Sequence, residues 1–232
     1  MRKINFGIIQ FPGSNCEQDC FHVLKNILKQ SCKYIWHDST SLRNIDCVVV
    51  PGGFSYGDYL RTGAIAAQSR ISSKIKEFAK GGGVVLGICN GFQILTELKL
   101  LPGVLLRNKS LNFICKDVHL KISNNSSIFT SEYNINDTLK IPIAHAEGNF
   151  FIKNSKIKDM KKNNQIMFQY TNHDGSLNDE SNPNGSVMNI AGICNQEGNV
   201  MGMMPHPERV SEALLGGQDG KGIFKSIIKN LS

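Results

Sequence analysis

The 232-residue sequence has no apolar run near the roughly 20 residues that a membrane-spanning helix needs. Its start, MRKINFGIIQFPG, contains an apolar stretch that is too short for a signal-peptide core and continues into a turn, so it is interpreted as a first strand. Hydrophobic residues make up 41% and charged residues 19%, which is typical of a globular chain. A cytoplasmic protein without a membrane partner is therefore predicted.

Cysteine pairing motifs are also missing. No two cysteines form C-x-x-C, so neither a zinc site nor a disulfide framework is indicated, and no metal site is predicted. Without an export signal the thiols are expected to be reduced, and the default interpretation of any one of them is a small buried hydrophobe. The seven cysteines are Cys16, Cys20, Cys32, Cys47, Cys89, Cys115 and Cys194.

Two binding functions are disfavoured by what the sequence does not contain. It has no G-x-x-x-x-G-K-[ST] phosphate loop, so no ATP site of that type is predicted. The formal net charge is +7, which raises the question of a nucleic-acid partner. The lysines are spread out, and no aromatic residues interleave with the one cluster, so a solvated helix face is preferred. That cluster is Lys156, Lys158, Lys161 and Lys162.

Apolar, β-branched segments alternate with helix-like segments through the first half of the chain. This alternation predicts βαβ units and one α/β domain over residues 1–232, with an open, mainly parallel central sheet and helices on both faces. The predicted strands are 4–10, 33–36, 47–50, 84–88, 118–122, 166–170, 187–194 and 200–204. The predicted helices are 16–29, 65–80, 92–98 and 222–231.

The stretch GGVVLGICNGFQIL, residues 82–95, places Cys89 in a G-x-C-x-G motif between a strand and a helix. This is the thiol version of the nucleophile elbow, in which flanking glycines permit a sharp turn. The helix N-terminus behind Cys89 favours a thiolate, and the carboxyl ends of parallel strands are where sites form. The pattern predicts a nucleophile at Cys89; the alternative is a buried structural thiol at a tight turn.

Three further residues are candidates for binding a substrate next to this thiol. The backbone amide of Asn90 is predicted to face an oxyanion, and the turn that contains Gly53 is a candidate for a second donor. Gln93 follows one helical turn after Cys89 on the same face, where it is positioned to hold a ligand. A surface glutamine is an equally good interpretation of Gln93 from the sequence alone.

Two histidines are followed by a glutamate two residues later, as a base with an orienting carboxylate would be. Pro205 and Pro207 stiffen the segment around His206, and an extended backbone there is expected to project His206 and Glu208 to the same side. A carboxylate beside an imidazole selects its tautomer and stabilises its charged form. The segment around His145 and Glu147 is less constrained, so a loop or ligand-contact role is at least as good for His145 as catalysis.

These residues carry a resemblance to a known family. GICNGFQIL followed by PHPER resembles the class I glutamine amidotransferases, whose triad is Cys, His and Glu in that order. More narrowly, the chain is similar to the glutaminase subunits of phosphoribosylformylglycinamidine synthases, which belong to purine biosynthesis. The matching stretches span nearly the whole chain: FPGSNCEQD, PGGFSYGDYLRTGAIA, GICNGFQIL, IPIAHAEGNF, NPNGS with IAGICN, GNVMGMMPHPER and GGQDGKGIF.

The resemblance implies a flavodoxin-like fold and a site. By resemblance Cys89 is the nucleophile, and His206 and Glu208 complete the triad. Gly53 and the Asn90 amide form the oxyanion hole, and Gln93 helps to hold glutamine.

It also implies a reaction and partners. Glutamine is hydrolysed through a thioester, and the ammonia passes to a separate synthetase subunit that converts formylglycinamide ribonucleotide to formylglycinamidine ribonucleotide. ATP and magnesium are expected on that synthetase and no cofactor on this chain, and a third, small subunit is expected to bridge the two. The rival hypotheses are a glutaminase that serves a different synthetase, an independent cysteine hydrolase, and a non-catalytic nucleic-acid-binding protein.

Overall fold

The computed structural model describes residues 2–232 and contains eleven strands and five α-helices, with short 3₁₀ and π-helical segments between them. The strands are β1 (Asn5–Gln10), β2 (Ser31–Trp36), β3 (Cys47–Val50), β4 (Val84–Ile88), β5 (Val104–Leu106), β6 (Ile114–Ile122), β7 (Thr138–His145), β8 (Asn149–Phe151), β9 (Ile166–Thr171), β10 (Ile190–Cys194) and β11 (Val200–Met203). The α-helices are α1 (Glu17–Phe21), α2 (Arg70–Lys80), α3 (Asn90–Glu97), α4 (Asn154–Lys162) and α5 (Lys221–Leu231).

The central sheet has nine strands in the order β2-β1-β3-β4-β11-β10-β9-β6-β7, and β5 pairs with β8 in a separate small sheet. Strands β2, β1, β3, β4 and β11 run parallel, whereas each pairing from β11 to β7 is antiparallel. The predicted α/β fold with an open central sheet is confirmed, and an antiparallel half extends the parallel strands that were predicted.

The inner strands of the parallel half of the sheet are buried on both faces, whereas the edge strand β2 is largely exposed. Every residue of β3 and β4 is buried, as expected for strands that read as continuous apolar runs. From β1 the chain crosses to β2, towards one edge of the sheet, and from β3 it crosses to β4, in the opposite direction. Because both crossovers are right-handed, α1 and α2 lie on opposite faces of the sheet. The ends of β3, β4 and β11 therefore meet at one edge of the sheet, between two layers of helix.

Several predicted element boundaries are wrong, each for a local reason. The helix predicted over 16–29 is α1 followed by a π-helical segment, His22–Ile27. The strand predicted over 187–194 begins only at Ile190, because Met188 and Asn189 have φ values of 54° and 56° that no strand accepts. The prediction had no strand at β7. Pro142 lowers the strand signal there, but it is tolerated because β7 is an edge strand.

The lysine cluster lies on the surface, and the cysteines differ in burial. The four lysines of the predicted cluster lie exposed on or beside the outer face of α4. Cys115 departs from the default interpretation, since its side chain is exposed on β6, and Cys32 is only partly buried. Among residues 2–232, no helix is both long and apolar enough to cross a membrane.

Candidate active site

Cys89 stands alone between β4 and α3, in the sharp turn that its motif predicts. Its φ of 49° lies in the left-handed region, which is uncommon for a residue with a side chain and is typical of strained functional turns. The Cys89 amide donates to the carbonyl of Met203, 2.7 Å away, and so fastens the turn to β11. The side chain is almost completely buried, and its Sγ lies 3.6 Å from the carbonyl oxygen of Ala144.

Close backbone packing explains the second glycine of the motif. A Cβ atom on Gly91 would overlap the backbone carbonyl of Val50, the last residue of β3. The first turn of α3 therefore lies directly against the neighbouring strand, and the first amides of the helix, which have no intrahelical acceptor, lie next to Cys89. Gly91 is required by this close approach, because any side chain would push the helix away from the sheet.

His206 and Glu208 form a buried pair at the end of β11. The Nδ1 atom of His206 lies 2.6 Å from Oε1 of Glu208. The expectation of an extended segment through both residues is wrong, because Pro207–Val210 forms a 3₁₀ turn. The carboxylate therefore reaches back to its imidazole across a tight turn. The His206 amide also donates to the carbonyl of Pro142, 2.9 Å away, which fixes the segment against β7.

The electrostatics of His206 favour the charged imidazolium. Burial of the ring disfavours the charge, but the charges of Glu208 and Cys89 outweigh burial and hold the pKa of His206 well above its usual value. An imidazolium next to a cysteine stabilises the thiolate, which is the nucleophilic form. The structure thus places a cation beside the Cys89 thiol and a carboxylate behind that cation.

His145, the competing histidine, occupies a different environment. It is the last residue of β7 rather than part of a loop, and it is buried. Its Nδ1 lies 3.1 Å from Oδ1 of Asn108, and its Nε2 faces the Asn184 amide at 3.5 Å. Burial and the nearby charge of His206 lower the pKa of His145 to about 4. A ring that stays neutral and is held by two amides supports the wall of the site and is a poor base.

The turn at residues 11–15 has a role that the sequence did not disclose. Ser14 forms an isolated antiparallel bridge with Gly53, and the amide of Phe54 donates to the carbonyl of Gly13 at 3.1 Å. Gly53 has a φ of 133°, and a Cβ there would lie 2.6 Å from the amide nitrogen of Asn15. The turn therefore clamps the Gly52–Gly53 backbone beside Cys89, and only glycine fits at Gly53.

A pocket of about 220 Å³ opens onto the thiol. Gln93 is buried in its wall, so the alternative of a surface glutamine is wrong. The Nε2 of Gln93 donates to the carbonyl of Glu147 at 2.6 Å, and its Oε1 accepts from Asn90 at 3.0 Å. The Asn90 side chain also accepts from the Ser55 hydroxyl at 2.5 Å. Helix α3 and the wall opposite are thus joined through Gln93.

The charged lining of the pocket was not predicted, although Glu147 had been noted as a possible partner of His145. Asp58, Arg107 and Glu147 all line it, and burial together with the charge of Glu147 raises the pKa of Asp58 to about 6. A free amino acid carries one ammonium and one carboxylate, so a wall with charges of both signs suits such a ligand. These residues come from three distant segments, and no local pattern in the sequence links them.

The fold and this site together define the class. A thiol on a nucleophile elbow, with an imidazole and a carboxylate arriving from the end of the adjacent parallel strand, is the arrangement of the triad glutamine amidotransferases. The family described as the CobB/CobQ-like glutamine amidotransferase domain matches residues 3–217. The chain belongs to this family and is a glutamine amidotransferase.

Several similar proteins are subunits of phosphoribosylformylglycinamidine synthases. The chain is 51% identical over 225 residues to the phosphoribosylformylglycinamidine synthase subunit PurQ of Moorella thermoacetica. This alignment covers 97% of this chain and 95% of that protein. It is 52% identical over 228 residues to the PurQ subunit of Alkaliphilus metalliredigens, with 98% and 97% covered. Among solved structures, PurLQS from Thermotoga maritima contains a chain with a TM-score of 0.88 and 41% identity, and both chains are covered completely.

Proposed function

We propose that this chain is the glutaminase subunit of a phosphoribosylformylglycinamidine synthase. It hydrolyses glutamine and supplies ammonia to a synthetase subunit that converts formylglycinamide ribonucleotide to formylglycinamidine ribonucleotide. The observation that carries the glutaminase half is the Cys89 thiol, which stands at the base of a small charged pocket with the His206–Glu208 pair beside it. The acceptor is inferred from the near full-length similarity to PurQ subunits.

The first half of the proposed reaction forms a thioester. The Cys89 thiolate attacks the side-chain amide carbon of glutamine, and the backbone amides of Gly53 and Asn90 donate to the resulting oxyanion. His206, as imidazolium, gives its Nε2 proton to the departing nitrogen, and ammonia leaves as the C–N bond breaks. Glu208 holds the ring in the orientation that presents Nε2 to the substrate and stabilises its positive charge.

The second half releases glutamate. His206, now neutral, takes a proton from water, and the water oxygen attacks the thioester carbon. The C–S bond breaks, glutamate leaves, and the Cys89 thiolate and the charged imidazole are restored. These steps use a thiol, an imidazole and backbone donors of this chain, so ATP and magnesium are assigned to the synthetase.

Glutamine is oriented by the pocket wall in this proposal. Gln93 is held between Asn90 and the Glu147 carbonyl, which fixes its amide at the pocket surface. Asp58 and Glu147 suit the α-ammonium group of the substrate, and Arg107 suits its α-carboxylate. The side-chain amide of glutamine then points at Cys89.

The synthetase subunit is proposed to cover the mouth of this pocket. Phe54 lines the pocket and stacks on the exposed Phe113 with ring centroids 6.4 Å apart, and the side chains of Tyr59 and Leu60 project into solvent nearby in the chain. A group of exposed apolar residues beside a catalytic pocket marks an interaction surface. A partner there receives the ammonia before it reaches bulk water. A small third subunit is proposed to bridge the two.

Binding of the synthetase subunit and its effect on glutamine hydrolysis test the proposed partner surface. Leu60→Glu is expected to weaken binding of the synthetase and to lower glutamine-dependent synthesis, whereas Leu214→Glu, at an equally exposed leucine elsewhere, is expected to do neither. Glutamine hydrolysis is expected to be weak in the isolated chain and to rise on assembly. Equal hydrolysis with and without partners, or equal binding by the two variants, would contradict the proposal.

Cys89→Ala in the assembled enzyme tests the function itself. Synthesis from glutamine should be lost while synthesis from added ammonia is retained, because only the glutaminase half depends on the thiol. Cys115→Ala, at an exposed cysteine on β6, is the matched control and should retain both activities. A glutamine-mimicking diazo ketone should label Cys89 alone and be blocked by glutamine. Persistent glutamine-dependent synthesis in Cys89→Ala would overturn the assignment.

A further inference from the structure

A second thiol lies next to the proposed triad. The Cys16 side chain is buried just before α1, and Cys16, His206 and Glu208 each place a possible ligand atom within 4.8 Å of the others. A Cβ on Gly52 would lie 3.2 Å from Cys16 Sγ, 2.7 Å from His206 Cε1 and 3.4 Å from Cys89 Cβ. The side chains of Cys16 and Cys89 both lie within hydrogen-bonding reach of the His206 ring, and all three residues border the space that Gly52 leaves open. The proposed glutaminase chemistry uses only the Cys89 thiol.

The imidazole offers one free nitrogen to this space. Its Nδ1 is taken by Glu208, whereas Nε2 is buried and has no hydrogen-bond partner in the described part of the chain. A histidine that binds a metal through one nitrogen almost always has the other nitrogen bonded to a carboxylate or carbonyl, which fixes the tautomer. The Glu208 contact already fixes the His206 ring in this way, so that binding of a metal at Nε2 requires only the loss of the Nε2 proton.

The surrounding charges accommodate a divalent cation. Arg209 donates to Cys16 Sγ at 3.2 Å, and its own charge is opposed by Asp19 with a nitrogen–oxygen distance of 3.8 Å. Two ionised thiols, Glu208 and Asp19 outweigh the single positive charge of Arg209. A divalent cation would thus leave the cluster slightly negative, and a thiolate sulfur is able to bind a metal while it accepts a hydrogen bond from Arg209.

We propose that Cys16, Cys89 and His206 form an inhibitory site for a soft divalent cation of the zinc class. Two sulfur ligands and one imidazole nitrogen are the donors that zinc prefers, and a water in the adjoining pocket completes a tetrahedron. Binding releases the Cys16 thiol proton and the Nε2 proton of the His206 imidazolium to solvent, while Cys89 binds as the thiolate that this imidazolium stabilises. The hydrogen bond from Cys16 Sγ to Asn15 Oδ1 is lost, and no other bond breaks. Binding removes both the nucleophile and the imidazole from catalysis. This effect on activity rests on the proposed function, whereas the binding itself does not. The proposed site departs from the sequence-based expectation of no metal site.

The binding test compares three forms of the full chain under a reductant that does not bind metals. Zinc is titrated against a chromophoric chelator with wild type, Cys16→Ser and the control Cys20→Ser, which alters a buried cysteine outside the cluster. Wild type and Cys20→Ser are expected to bind one equivalent with equal affinity. Cys16→Ser is expected to bind at least about tenfold more weakly, since a lost ligand costs no less than a lost outer-shell partner. Equal affinity for Cys16→Ser, or no stoichiometric binding by wild type, would overturn the proposal.

Cobalt(II) provides a readout that needs only the wild-type chain. Sulfur-to-cobalt absorption grows with the number of thiolate ligands, so the folded wild type is expected to show the intensity of two thiolates. An intensity of one thiolate, or none, contradicts the site even where Cys16→Ser does not fold. In the assembled enzyme, Cys16→Ser should retain glutamine-dependent synthesis and lose sensitivity to zinc. Zinc bound through Cys16 by a chain without glutaminase activity would reject the proposed function and leave the metal site standing.

Discussion

Nδ1 of His206 and Oε1 of Glu208 lie 2.6 Å apart inside the protein, and only Pro207 separates the two residues in the chain. The 3₁₀ turn at Pro207–Val210 makes this contact possible, and burial of both side chains removes water from it. A charged hydrogen bond in such surroundings is stronger than in solvent. The pair is thus a rigid unit whose free end faces Cys89.

Glu208→Gln is expected to lower the turnover number for glutamine by about 10²–10⁴-fold, because an amide cannot balance the imidazolium charge or hold the same tautomer. Steady-state kinetics of the assembled enzyme measure this, with ammonia-dependent synthesis unchanged. Glu212→Gln, at a glutamate that pairs with His22 nearer the surface, serves as the control. A turnover number within a few-fold of wild type would show that the carboxylate is only structural.

Gln93→Leu is expected to raise the KM for glutamine by about 10–100-fold, since it removes a buried amide worth about 1–3 kcal/mol from the pocket wall. The Glu147 carbonyl and the Asn90 amide would lose their partner as well. Gln68→Leu, at an exposed glutamine, should change nothing. Ammonia-dependent synthesis separates a defect in glutamine binding from a general defect. An unchanged KM in Gln93→Leu would remove this residue from the substrate site.

His145 should make folding stability depend on pH in the acid range. Its pKa is about 4 in the folded protein, against about 6.5 for an unfolded chain, so the unfolded state binds the extra proton between these values. The stability it contributes is fully present above pH 6.5 and is lost as the pH falls towards 4, by about 3 kcal/mol.

Urea unfolding between pH 4 and 8 measures that loss. The His145→Gln variant should show a shallower decline than wild type, because it has no proton to gain on unfolding. His173→Gln, at an exposed histidine, should follow the wild-type curve. Parallel curves for wild type and His145→Gln would mean that the pKa of His145 is the same in the folded and the unfolded protein, which contradicts the prediction.

Gly91→Ala should destabilise the fold at the elbow. The added methyl group overlaps the Val50 carbonyl, and overpacking of this kind typically costs about 1–3 kcal/mol. Gly81→Ala is the matched control, because a Cβ there meets its nearest atoms at an ordinary 3.5 Å. The midpoint of urea unfolding should fall only for Gly91→Ala. Equal midpoints would show that α3 shifts without cost, and the tight approach of helix to strand would lose its significance.

Local features of the chain were readable from the sequence because short segments determine them. The elbow at Cys89 follows from a buried strand, a cysteine and two glycines in succession, and the structure has that turn. Two prolines around His206 restrict the backbone, so the histidine and Glu208 were expected to meet, although the turn between them was not. Alternating strands and helices gave the α/β class. The catalytic and binding roles assigned to these residues stay predictions.

Features that depend on several distant segments were decided only by the tertiary structure. Whether Gln93 faces solvent or a pocket, and which of His145 and His206 is charged, depend on burial and on neighbours far along the chain. The pocket charges and the approach of Cys16 to His206 leave no periodic or motif signal. The sequence determined the local backbone, and the turn at Cys89 was enough to predict a nucleophile there. Packing of the sheet decided its environment, because desolvation and charge pairing exist only once those segments are assembled.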